Sequence, residues 1–100
     1  MSSDVVVLIA YRALPGKEED AKGAIGGLVR TVLRTEPDCR GITILHNAAD
    51  PGHILLVEQW SSRESYLGPH MQTPHIKAWI AEAPAVVSGP PEITFWRAEP

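Results

Sequence analysis

From Val5 to Ala13 the chain is apolar almost without interruption and rich in β-branched residues, the pattern of a strand covered on both faces. Pro15-Gly16 breaks that run. Beyond it Ala21, Ala24, Ile25, Leu28, Val29 and Val32 recur at the i, i+3, i+4, i+7 spacing of an amphipathic helix. Glu18, Glu19 and Asp20 suit the positive amino end of that helix, and Arg30 and Arg34 its negative carboxyl end. Gly23, Gly26 and Gly27 each weaken it by about 1 kcal/mol relative to alanine, so they are expected to pack closely against a sheet.

Two short β-type runs follow Glu36-Pro37, Gly41 to Ala48 and His53 to Trp60, joined by the turn sequence Ala49-Asp50-Pro51-Gly52. Period-two alternation puts Ile54, Leu56, Glu58 and Trp60 on one side of the second run and Leu55, Val57 and Gln59 on the other. Ser61 followed by Glu64 forms the pattern of a capping box, so a helix starts directly after Trp60. Gly68-Pro69 interrupts it, and Thr73-Pro74 restarts it with a new cap and proline at the first helical position. Ile76, Trp79, Ile80 and Ala83 form the stripe of this last helix, which Pro84 ends. A final strand spans Glu92 to Ala98, with Ile93, Phe95 and Arg97 on one face and Thr94 and Trp96 on the other.

The order strand, helix, strand, strand, broken helix, strand predicts an α+β fold, the ferredoxin-like βαββαβ arrangement with an antiparallel sheet. Its helices cover one sheet face only, yet the strands are apolar on both. A face-to-face homodimer is the economical way to hide the second face.

Composition narrows the partners. The 100 residues are 44% hydrophobic, as expected for a single domain over residues 1–100. The net charge of −3 comes without a cluster of lysines or arginines, which argues against nucleic acid and anionic membrane surfaces. No apolar run approaches a membrane span and no basic stretch precedes Val5 to Ala10, so the chain reads as cytoplasmic. Cys39 is alone and reads as a small buried apolar residue. No GxGxxG, Walker-type loop or HExxH motif is present, and the four histidines lack a metal-ligand spacing, so neither cofactor nor metal is expected.

Four stretches, "ALPGKEED", "RTEPDCRG", "DPGHILLVEQW" and "HMQTPH", resemble in order and spacing the antibiotic biosynthesis monooxygenase family of the dimeric α/β-barrel superfamily. The resemblance implies a cofactor-independent monooxygenase acting on a small aromatic, phenolic or quinol-type substrate with molecular oxygen. A non-enzymatic ligand-binding dimer and an isomerase using enolisation are the alternatives within the same fold. It also places Trp60, in a Glu-x-Trp pattern, and His70 near a cavity between sheet and helices. His70 is the expected base, because imidazole titrates near neutrality, and Trp60 the expected pocket wall. Tyr66, one turn before His70, and Glu58, a carboxylate on an apolar strand face, are candidates for substrate contact. Glu58 needs a partner there, with Arg12 or Arg97 in reach of the pattern. His46 and Asn47 alternate on the first hairpin strand, so one of them faces the cavity. His75 lies at the edge of the last stripe and is expected to be exposed.

Overall fold

In the computed structural model, which describes residues 4–99, the first strand β1 runs Val5–Arg12 and the long helix α1 Glu18–Thr35. The hairpin β2 (Cys39–His46) and β3 (His53–Trp60) leads into α2 (Arg63–Leu67), a 3-10 turn at Pro69–Gln72 and α3 (Pro74–Glu82); β4 (Glu92–Trp96) closes the sheet. The strand order is β2-β3-β1-β4 and every pairing is antiparallel. This is the ferredoxin-like α+β fold that the alternation of elements predicts. Among the described residues no helix is long and apolar enough to cross a membrane.

Alternation sorts the central strands cleanly. Val5, Val7, Ile9 and Tyr11 of β1 and Ile54, Leu56, Glu58 and Trp60 of β3 are buried beneath the helices, where Ala21, Ile25, Val29 and Val32 of α1 meet them. The opposite side of the same strands, with Val6, Leu8 and Ala10 beside Leu55 and Val57, is only half-buried. At its edges Leu45 and Trp96 are 46% and 55% exposed.

Several local expectations change. The helix after β3 is capped by Ser62, whose hydroxyl accepts the Ser65 N–H at 3.0 Å while Ser65 Oγ accepts the Ser62 N–H at 3.3 Å. Ser61 instead donates to Asp38 at 2.8 Å and ties the end of β3 to the start of β2, so the capping box is Ser62–Ser65 rather than Ser61–Glu64. The glycines of α1 do not pack against the sheet: Gly23 is exposed with nothing near the place of a Cβ, and Gly26 and Gly27 face only the Arg30 guanidinium. Ala24 and Ile80 are exposed, off the buried stripes of their helices. Strand β2 begins at Cys39 with a bulge before Gly41, and β4 stops at Trp96, leaving Arg97 beyond the sheet.

Candidate active site

Among the described residues no cation pairs with Glu58. Arg12 pairs with Asp50 at 2.6 Å, which holds that carboxyl below its usual range, and Arg97 lies outside β4. The partner of Glu58 is local: the Trp60 indole N–H donates to its Oε1 at 2.8 Å, a bond between residues two apart on one strand face. One hydrogen bond does not offset the loss of water around a carboxylate. Burial, with 4% of the residue exposed, therefore pushes the Glu58 carboxyl up to about 7, and the nearby Glu36 carboxylate adds to the push.

Trp60, 1% exposed, is the floor on which an aromatic cluster stands. His70 lies tilted over it with ring centroids 4.4 Å apart, and Tyr66 meets it edge-on at 5.5 Å. Tyr66 and His70 stack on each other at 4.9 Å although the helix between them is broken. Gly68 makes the break possible. Its N–H bonds the Glu64 carbonyl at 2.8 Å, and a Cβ there would stand 3.0 Å from the same oxygen. The chain then enters the 3-10 turn, and the Thr73 hydroxyl fastens it by donating to the His70 carbonyl at 2.8 Å while accepting the Ile76 N–H that starts α3. His70 thus sits between two caps, 4% exposed.

Glu36 orients its ring. Nδ1 of His70 lies 2.9 Å from both carboxylate oxygens, and Nε2 of His75 lies 2.6 Å from one of them. A carboxylate only accepts, so the ring nitrogens facing it carry the protons, and Nε2 of neutral His70 is left as its acceptor. Burial pulls the His70 pKa down, against the opposing influence of Glu36. His75 is therefore not the exposed residue its helix position suggests. Among the described residues no group of three or more His, Cys, Asp or Glu side chains is arranged to hold a metal ion.

His70 and Tyr66 line a cavity of about 480 Å3 between β1, β4 and α3, in the size range of pockets for drug-sized ligands. Its wall is apolar, from Met71, Ile76 and Trp79 to Pro90 and Pro91, and contains no Lys, Arg, Asp or Glu. The polar groups available to a guest come from Tyr11, Tyr66 and His70. Tyr11 is held by the Trp79 N–H, which donates to its hydroxyl at 3.1 Å, and burial raises the pKa of both tyrosines. A second, smaller cavity of about 30 Å3 shares Tyr11, Tyr66, His70 and Ile76 with the first and is lined further in by Glu58.

Of the residues singled out by sequence, the fold brings Glu58, Trp60, Tyr66 and His70 together. Trp60 supports the wall from behind without lining either cavity. His46 lies at the exposed end of edge strand β2, and Asn47 caps the hairpin turn by accepting the Ala49 and Asp50 N–H groups at 2.9 and 3.0 Å, so neither reaches the cluster. Glu36, Tyr11 and Trp79 join the site unannounced. Glu36 did leave a signal: it caps the carboxyl end of α1, where the helix dipole disfavours a negative charge by roughly 0.3–1 kcal/mol. An acid in that position needs a compensating partner, and two imidazoles supply it.

Solved structures share this architecture. PA3566 from Pseudomonas aeruginosa superposes with a TM-score of 0.85 at 22% identity, covering 99% of this chain and 98% of that one. Rv0793 from Mycobacterium tuberculosis gives 0.84 at 21%, over 98% and 97% of the two chains. A structure named as an antibiotic biosynthesis monooxygenase gives 0.82 at 23%, over 96% and 99%. At such identities these likenesses establish the fold alone. No curated protein matches the sequence significantly. The antibiotic biosynthesis monooxygenase profile, however, matches residues 4–82, from the start of β1 to the end of α3, and the chain belongs to that family.

Proposed function

We propose that the protein oxygenates a small, uncharged phenol or hydroquinone with molecular oxygen, without a cofactor, and that it works as a homodimer. The observation that carries this reading is a single imidazole, oriented by Glu36, on the wall of a largely apolar cavity whose other side-chain hydroxyls are those of Tyr11 and Tyr66. Nε2 of His70 removes the phenolic proton, and the resulting electron-rich anion reacts with oxygen directly. The chemistry closes without an outside reductant: a hydroquinone and O2 give a hydroxyquinone and water, the substrate supplying all the electrons that reduce both oxygen atoms. The apolar wall supports the same reading in two ways. It excludes water from reactive intermediates, and it lacks any cation to hold a carboxylated or phosphorylated substrate. Trp60 acts as a positioning residue, fixing the ring of His70 by contact. The homodimer reading rests on the open sheet face, whose Val6, Leu8, Leu55 and Val57 form a continuous apolar strip.

Oxygen uptake with a panel of hydroquinones and polycyclic phenols tests the reading. His70→Ala is expected to lower the rate by roughly 10²–10⁴-fold, with partial rescue at high pH, where the substrate ionises unaided. If wild type turns over a substrate and His70→Ala matches it at every pH, the base assignment is wrong. If no member of the panel consumes oxygen while one binds, the protein is a ligand-binding member of its family. Proton exchange next to a carbonyl, without oxygen uptake, would mark an isomerase.

A further inference from the structure

Among the described residues Glu58 is the only fully buried acid, and the reaction proposed above leaves it without a task. Its Oε1 accepts the Trp60 N–H, while Oε2 has no hydrogen-bond partner there. Every side-chain nitrogen or oxygen sealed from solvent among those residues does have a partner, so Oε2 is not sealed. The space it meets is the smaller cavity, since Glu58 lines that one and not the main one. The Tyr66 hydroxyl and Nε2 of His70 are free of protein partners in the same way, and both residues line this cavity too. Tyr11 adds a hydroxyl that accepts the Trp79 N–H and keeps its own proton to donate. A buried water takes about two to four polar partners, and about 30 Å3 gives it room.

We propose that a water in this chamber connects Nε2 of His70 to Oε2 of Glu58, and that Glu58 stores the proton taken from the substrate. The inference rests on His70 being the base of the proposed function and adds where its proton goes. The phenolic O–H bond breaks as Nε2 takes the proton. The imidazolium then releases that proton to the water, which passes one of its own to Oε2. His70 returns to its starting tautomer, its Nδ1–H still on Glu36, and one negative charge has moved from Glu58 to the substrate. Glu36 cannot serve as the store, because taking the Nδ1 proton would leave His70 in the wrong tautomer. With its proton two groups away, the anion survives to meet oxygen, and the path runs in reverse when the departing oxygen needs a proton. Transfer to Glu58 is downhill, since burial lowers the pKa of His70 and raises that of Glu58 to about 7. The other titratable groups around Glu58 do not compete: burial pushes Tyr11 on β1, Cys39 on β2 and Tyr66 on α2 up, so they stay protonated, and Glu36 is held by its two imidazoles.

2-Naphthol, whose anion absorbs at longer wavelength than the neutral phenol, reads this step without oxygen. Under argon, the ligand bound to wild type should ionise as pH rises through about 7, where Glu58 becomes able to accept a proton. Glu58→Gln keeps an acceptor for the Trp60 N–H but stores no proton, and should show several-fold less bound anion at pH 8, with no rise near 7. A Glu58 acting by charge alone predicts the reverse, since removing its negative charge would favour the anion. Equal or greater ionisation in Glu58→Gln overturns the inference, as does a crystal structure in which no water bridges Oε2 and Nε2. If wild type ionises the ligand and Glu58→Gln does not, yet no phenol or quinol consumes oxygen, the proton store stands and the oxygenase reading falls. If a substrate turns over and Glu58→Gln matches wild type at every pH, the oxygenase reading stands and the store falls.

Discussion

The two faces of the sheet are made by the same strands, residue by alternate residue, and they solve different problems. On the helix-covered face, β3 contributes Ile54, Leu56, Glu58 and Trp60, and the cover is complete enough to trap a carboxyl group away from water. On the open face, β3 contributes Leu55, Val57 and Gln59 beside Val6 and Leu8 of β1, all apolar but Gln59 and none of them fully buried. The covered face is apolar with one deliberate exception in Glu58. Among the described residues the open face carries no buried acid, and its apolar character is the basis of the proposed dimer contact. The helices of this chain cover only one side of the sheet, and the homodimer proposed above would cover the other.

The largest blow to the covered face is Trp60→Ala. It removes the floor under His70 and Tyr66 together with the N–H that Glu58 accepts, and urea unfolding should show a loss of about 3–5 kcal/mol. A loss under about 1 kcal/mol would mean that the cluster stands without its floor.

Next in size is the pH dependence that Glu58 imposes. Its carboxyl ionises near 4.5 in the unfolded chain and at about 7 in the fold, so between those values the unfolded state releases a proton that the folded state keeps. Stability therefore falls as pH rises through that window, by about 3 kcal/mol at roughly 1.4 kcal/mol per pH unit, and flattens above it. Glu58→Gln should remove this decline and be the more stable protein at pH 8, as read by urea midpoints from pH 4 to 9. His70, whose pKa burial lowers, works in the opposite sense and on the acid side: the fold holds it neutral, so stability falls as pH drops below the ordinary histidine range.

On the open face the expected change is in association, not in the fold of the chain. Leu8→Lys sets like charges against each other across a two-fold axis, and light scattering should show dimer dissociation at least tenfold easier, about 1.4 kcal/mol. Unchanged dimers would mean that a different surface joins the copies. The smallest effect belongs to neither face: Gly23→Ala, on the exposed side of α1, should stabilise by about 0.5–1 kcal/mol, because nothing occupies the place of its Cβ.

What the sequence disclosed and what it hid divide along the same physical line. Face assignments on β3 and β4 follow from a period of two, and so Glu58 and Trp60 were legible as neighbours. Glu36 was not, because its partners lie 34 and 39 residues on, across the whole hairpin. The cap of α2 moved by one residue because Ser61 and Ser62 carry the same hydroxyl, and only the bond from Ser61 to Asp38 decides between them. Helical spacing puts Tyr66 beside His70 only if the helix runs on through Gly68-Pro69. Instead the tight turn after Gly68 brings the rings into a stack that helical spacing alone does not specify.

Cys39 has a bearing on durability. The oxygenation proposed above would set reactive oxygen beside the core and threaten any sulfur that can ionise, since the thiolate is the form that oxidises. The Cys39 thiol is buried, and burial pushes its pKa up to about 11, so at neutral pH it meets an oxidant as the unreactive thiol. Met71, by contrast, stands on the wall of the main cavity. Oxidative wear should therefore be written on one sulfur and not the other: an added oxygen on Met71 that accumulates with turnover, while Cys39 stays reduced.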